Sequence, residues 1–177
     1  IKPDYAEAYN NMGITLKDQG KLEEALEAYT KALAIKPDFT EACFRMGVVL
    51  QEQGKLKEAI EVYKKTLALK PDYAEAYNNM AVILKNKGKL EEALEAYTKA
   101  LAIKPDFTEA CFRMGVVLQE QGKLKEAIEA YKKTLTLKPN YAEAYNNIAV
   151  ILKDQSKLEE AIEAYNKALA LKPDYAE

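Results

Sequence analysis

The chain has 177 residues, 49 % hydrophobic and 31 % charged, proportions of a folded chain rather than a disordered one. Its net charge of −2 speaks against nucleic acid as a partner, because neutralising phosphates takes a basic surface. It has no histidine and one serine, Ser156, so neither a serine triad nor a histidine general base can be assembled.

The prolines set the organisation. Pro3, Pro37, Pro71, Pro105, Pro139 and Pro173 stand 34 residues apart, and a fixed period of that length marks an array of one small unit. The units are 6–39, 40–73, 74–107, 108–141 and 142–175. Residues 1–5 and 176–177 read as parts of flanking repeats, so the chain looks cut from a longer array.

In the first unit a helix is predicted from Asp4, where Asp4 and Glu7 form a capping box. The same pattern recurs at Asp38/Glu41, Asp72/Glu75, Asp106/Glu109 and Asn140/Glu143. Ala8, Tyr9, Met12, Gly13 and Leu16 share one face of this helix. Gly20 supplies the left-handed turn that ends it, as do Gly54, Gly88 and Gly122, with Ser156 in that place in the last unit. A serine there carries a steric cost, so the fifth turn is expected to be the least stable. A second helix is predicted from about Lys21 to Ile35, with Leu22, Ala25, Leu26, Tyr29, Ala32 and Leu33 as its apolar stripe. Ala25, matched by Ala59, Ala93, Ala127 and Ala161, lets the two helices approach closely.

The pattern Tyr9, Met12-Gly13, Leu16, Ala25, Tyr29, Ala32 and Pro37 resembles the tetratricopeptide repeat, and the resemblance runs through all five units. Cys43 and Cys111 depart from it where the family has a large aromatic. Ala81 and Ala149 depart at its glycine, and Thr66 and Thr134 at its last alanine; all are size-tolerable. The resemblance implies an all-α solenoid of antiparallel helix pairs forming a right-handed superhelix, a single array over 1–177. First helices would line a concave groove that holds a protein or peptide segment.

A second period of 68 overlies the first. Residues 6–73 and 74–141 differ at only eight positions, five of them in the second half of a first helix. Odd and even units are therefore two kinds of the same repeat.

Opposite the core face of each first helix three signals recur. Ile14, Val48, Val82, Val116 and Val150 are apolar where a solvated helix would be polar, with Phe44 and Phe112 beside them. They read either as a binding stripe or as packing between first helices. Asn11, Asn79 and Asn147, flanked by Asn10, Asn78 and Asn146, form an amide ladder. It can clamp a peptide backbone or bond neighbouring helices. Arg45 and Arg113, the only arginines, can grip a carboxylate, or pair with Glu41 and Glu109 one turn earlier. The resemblance adds that some members clamp a terminal carboxylate with lysine, asparagine and arginine; the lysines are absent here.

Three functions compete. A non-catalytic protein- or peptide-binding scaffold leads. A module stacking end to end is the second, because residues 1–5 repeat the sequence at 171–175 and no polar helix covers Tyr165 and Leu169. The targeting arm of a larger enzyme, such as a glycosyltransferase, is the third. No cofactor, metal, nucleic acid or membrane partner is called for. Cys43 and Cys111, two units apart, are expected to be free thiols, which fits a cytoplasmic location.

Overall fold

The structure, a computed structural model, describes residues 4–172 and divides into two compact units, 1–87 and 88–177. The expectations that rest on Pro3, Pro173 and the flanking pieces lie outside the described residues. Among the described residues there are ten helices and no strand. The first unit holds α1 (Asp4–Asp18), α2 (Leu22–Ile35), α3 (Thr40–Glu52), α4 (Leu56–Leu69) and α5 (Ala74–Asn86). The second holds α6 (Leu90–Ile103), α7 (Thr108–Glu120), α8 (Leu124–Leu137), α9 (Ala142–Asp154) and α10 (Leu158–Leu171). Within each of these two units every helix packs on the next, as the repeat predicts, and the fold is an all-α helical repeat array.

Within a repeat the two helices meet at a very small residue. A Cβ built on Gly13 would lie 2.6 Å from the Tyr29 ring, and on Gly47 2.7 Å from Tyr63. The tyrosines Tyr29, Tyr63, Tyr97 and Tyr131 are all fully buried. So are Ala25, Ala59, Ala93 and Ala127 on the same helices. The turn between the helices is left-handed at Gly20, Gly54, Gly88 and Gly122, with φ of 73–75°. Its carbonyls are satisfied by a bond that spans the turn, such as Lys21 N–H to the Leu16 carbonyl at 2.9 Å. Ser156 holds the same conformation at φ 60°.

The capping boxes do not form as expected. The later first helices begin at Thr40, Ala74, Thr108 and Ala142, two residues after the predicted cap. Their N-caps are Phe39, Tyr73, Phe107 and Tyr141, with no side-chain cap bond. Two competing interactions explain the shift. Pro37 and Asp38 are taken up in a turn closed by Phe39 N–H to the Lys36 carbonyl at 3.1 Å, a role that suits proline's fixed φ. The glutamate is engaged elsewhere: Glu41 accepts the Tyr73 hydroxyl at 2.8 Å and pairs with Arg45 at 2.7 Å. Glu109 does the same with Tyr141 and Arg113, and Glu143 is bonded by Lys172.

Both cysteines are buried and free. Among the described residues no helix is long and apolar enough to cross a membrane, and no cluster of side chains suited to a metal ion occurs.

Candidate functional site

In the first unit the first helices α1 and α3 bring four of the expected residues to one cavity. Ile14, Phe44, Arg45 and Val48 line it together with Lys17, Asp18 and Tyr29, and it encloses about 230 Å³. Its walls are apolar and its polar groups are mostly donors. The Tyr29 hydroxyl and the Arg45 Nε–H are buried without a hydrogen-bond partner among the described residues. Buried donors in that state cost about 1–3 kcal/mol each, a cost that an incoming acceptor removes. Burial pushes the Tyr29 phenol up to about 12, so it stays protonated and able to donate at neutral pH. The cations around it are partly matched from within: Arg45 pairs with Glu41 through its terminal nitrogen, and Lys17 with Glu52 at 3.2 Å.

Phe44 is built into the array. Its ring stacks on Tyr73 with centroids 4.7 Å apart and tilts against Tyr63 at 5.9 Å. Phe44 and Val48 are half-buried and pack on the core formed by Leu50, Ala59, Tyr63 and Ile83. In the second unit Phe112 repeats this with Tyr141 at 4.8 Å and Tyr131 at 5.6 Å, and Val116 packs on that unit's own core of Leu118, Ala127, Tyr131 and Ile151. Arg113 pairs with Glu109 through Nε at 2.7 Å.

The asparagines divide. Asn11 is exposed. The Asn79 amide donates to the Tyr63 hydroxyl at 3.3 Å, and Asn147 to Tyr131 at 3.2 Å. Each tyrosine in turn donates to a glutamine of its own repeat, Gln51 at 2.9 Å or Gln119 at 2.8 Å. Asn78 reaches Asn79 at 3.2 Å, while its carbonyl oxygen and that of Asn10 are buried without a partner among the described residues. Asn146, Val82 and Val150 are half-buried. Asn79 and Asn147 thus tie their first helices to the preceding repeat.

Tyr29, Lys17 and Asp18 were not among the expected site residues. A signal for Tyr29 was present: every second helix carries tyrosine, not phenylalanine, in a core position, and a buried hydroxyl requires a partner.

Sequence comparison decides the family. The tetratricopeptide repeat profile matches residues 6–39, 74–107 and 142–175, and a second TPR repeat profile matches 49–88 and 118–156. The chain belongs to the tetratricopeptide repeat family. No curated protein matches it. Among solved structures, MamA is 29 % identical with a TM-score of 0.85, over 93 % of this chain and 96 % of that one. YrrB, described as a TPR protein with an unusual peptide-binding site, is 27 % identical with a TM-score of 0.79, over 94 % and 86 %. PilF of Pseudomonas aeruginosa is 26 % identical with a TM-score of 0.84, over 94 % and 76 %.

Proposed function

We infer that this TPR chain is a non-catalytic scaffold that holds an extended segment of a partner protein along its first helices. The cavity of the first unit carries the reading. Its walls, Ile14, Phe44 and Val48, suit an apolar side chain, and its floor offers two unpartnered donors, the Tyr29 hydroxyl and Arg45 Nε–H. A carbonyl or carboxylate of the partner supplies the missing acceptor. The peptide-binding site described for YrrB supports the same class of partner.

The experiment is a random peptide display screen against the wild type, counter-screened against Arg45→Gln. Arg45 is a suitable target because it is half-exposed and its pair with Glu41 is worth at most about 1 kcal/mol. Peptides enriched by the wild type and rich in Asp or Glu are expected, and the variant should lose them. Enrichment that ignores Arg45 would overturn the role of the cavity. No enrichment at all would overturn the groove.

A second reading, end-to-end self-association, has its own observation. Leu158, Ile162 and Leu169 of α10 are exposed, and so are Tyr5 and Met12 of α1. With Tyr165 the α10 residues repeat the face Leu56, Ile60, Tyr63 and Leu67 that α4 presents to α5. The helix on that covered face is of the same kind as α1. Sedimentation at millimolar protein should show growing mass that Ile162→Glu abolishes; a constant monomer mass would end this reading.

A further inference from the structure

A second cavity of the first unit, on the α2 and α4 side of α3, has no part in the proposed groove. It is an open depression of about 370 Å³ between Leu33, Ala34, Cys43, Met46, Val62 and Lys65. Ala34 and Lys65 at its rim are exposed, while Cys43 at its base is fully buried and its thiol approaches the Val62 carbonyl at 3.6 Å. The size falls in the range of small-ligand pockets, about 300–1,000 Å³.

The repeat explains why the space exists. Cys43 stands where Tyr9 stands one repeat earlier, and Lys65 where Lys31 stands. In the first repeat the Lys31 ammonium lies over the Tyr9 ring, 5.9 Å from its centroid. In the second repeat the lysine remains and the ring is missing. The same pairing of positions holds at Lys167 and Tyr145, and at Lys133 and Cys111, where each lysine is close enough to act electrostatically on its partner. The tyrosine-to-cysteine exchange thus leaves the lysine beside a space where other repeats carry an aromatic ring.

We propose that the cavity at Cys43 is a docking pocket for an aromatic side chain, tyrosine or phenylalanine, of a partner protein. The ring takes the place of the repeat's own tyrosine. Leu33 and Val62 flank it, and the Met46 sulfur is a favourable neighbour for a ring. The Lys65 ammonium complements the negative π face, as Lys31 does over Tyr9. A rigid aromatic brings a large apolar area at low entropic cost, which is why such side chains dominate as anchors. This pocket is independent of the groove, and either can fail alone.

The test is a titration of protein carrying 13C-methyl methionine with p-cresol, the tyrosine side chain as a free molecule, read at Met46. Saturable shifts with half-saturation in the millimolar range are expected. N-acetyl-L-tyrosinamide should shift the same methyl, because a ring borne on a chain enters with its backbone outside. Cys43→Tyr, which restores the residue found at Tyr9, Tyr77 and Tyr145, should weaken binding at least tenfold. Lys65→Gln, at an exposed site that leaves the fold intact, should weaken it about two- to fivefold. No shift at Met46, undiminished binding by Cys43→Tyr, or equal shifts from isobutanol would overturn the proposal. Binding of p-cresol without N-acetyl-L-tyrosinamide would make this a site for free aromatic molecules and overturn the partner side chain.

Discussion

Tyr29 and Tyr63 occupy the same place in consecutive repeats and meet different company. Tyr63 is held at both ends of its hydroxyl: it donates to Gln51 and accepts from Asn79. Tyr29 has Lys17 where Tyr63 has Gln51, and Arg45 where it has Asn79, and its hydroxyl is left without a hydrogen-bond partner among the described residues. One backbone thus carries two chemistries. Where the first helix brings asparagine, the tyrosine knits two repeats together. Where it brings Arg45, the tyrosine borders a cavity with donors to spare, whereas Arg113 bonds the Tyr97 hydroxyl and Glu109. The two kinds of repeat thus differ in whether asparagine or arginine meets the tyrosine, and an open joint stands at Tyr29.

The largest expected effect treats the two tyrosines alike. Burial pushes both up to about 12. A folded pKa raised above the unfolded value of about 10 gives stability that is whole below pH 10 and is lost as pH rises through 12. The loss is about 2–3 kcal/mol for each such tyrosine. Tyr97 and Tyr131 are raised in the same way, so helicity followed by circular dichroism should collapse in this window. Full helicity with ionised tyrosine absorbance at pH 12 would refute the burial of these hydroxyls.

The next effect separates them. Gly47→Ala places a Cβ against the Tyr63 ring, which its hydrogen bonds pin in place. Overpacking outweighs the gain in helix propensity, and a net loss of about 1–2 kcal/mol is expected. Gly13→Ala presses the Tyr29 ring, which is unpinned and borders a cavity, so urea denaturation should show a loss less than half as large. Equal losses would mean that the hydrogen bonds do not hold the ring.

Removing the hydroxyls is a finer probe. Tyr63→Phe strands Gln51 and Asn79 and should cost about 1 kcal/mol, whereas Tyr29→Phe should be neutral or stabilising. Thermal melts that rank them in the opposite order would place an unseen acceptor at Tyr29. The smallest effect concerns the turns. Ser156→Gly should stabilise by up to about 1 kcal/mol, because a side chain at φ 60° is strained where the other turns use glycine.

The array itself was legible in the sequence because its determinants are local. Period, apolar stripe and the glycine turns depend on residues within one repeat, and helix ends at Ile35 and Leu69 fall two residues before Pro37 and Pro71. The start of the first helices was not legible. Asp38 and Glu41 satisfy the local rule for a capping box, but Glu41 is claimed by Tyr73, 32 residues away, and by Arg45. Phe44 and the asparagines lie on the face opposite the core of their own helix, and a helical wheel sees only one helix. Tyr73 and Tyr63, which hold them, come from elsewhere in the chain. The cavity at Cys43 escaped for a related reason. A cysteine in place of an aromatic changes no helix, and the space it leaves is visible only once α2 and α4 stand on either side.

The joint between repeats carries a last consequence. Each connection at residues 36–39, 70–73, 104–107 and 138–141 is Lys-Pro-(Asp/Asn)-aromatic, and its lysine reaches over the ring that follows, at 5.0 Å for Lys36 and Phe39. Trypsin does not cut a Lys-Pro bond, so these exposed joints resist it through their chemistry and not through concealment. The turns inside each repeat have no such protection: Lys21, Lys55, Lys89 and Lys123 are exposed and precede leucine. Trypsin would therefore open the chain half a repeat out of step with its period. Its fragments would pair the second helix of one repeat with the first helix of the next.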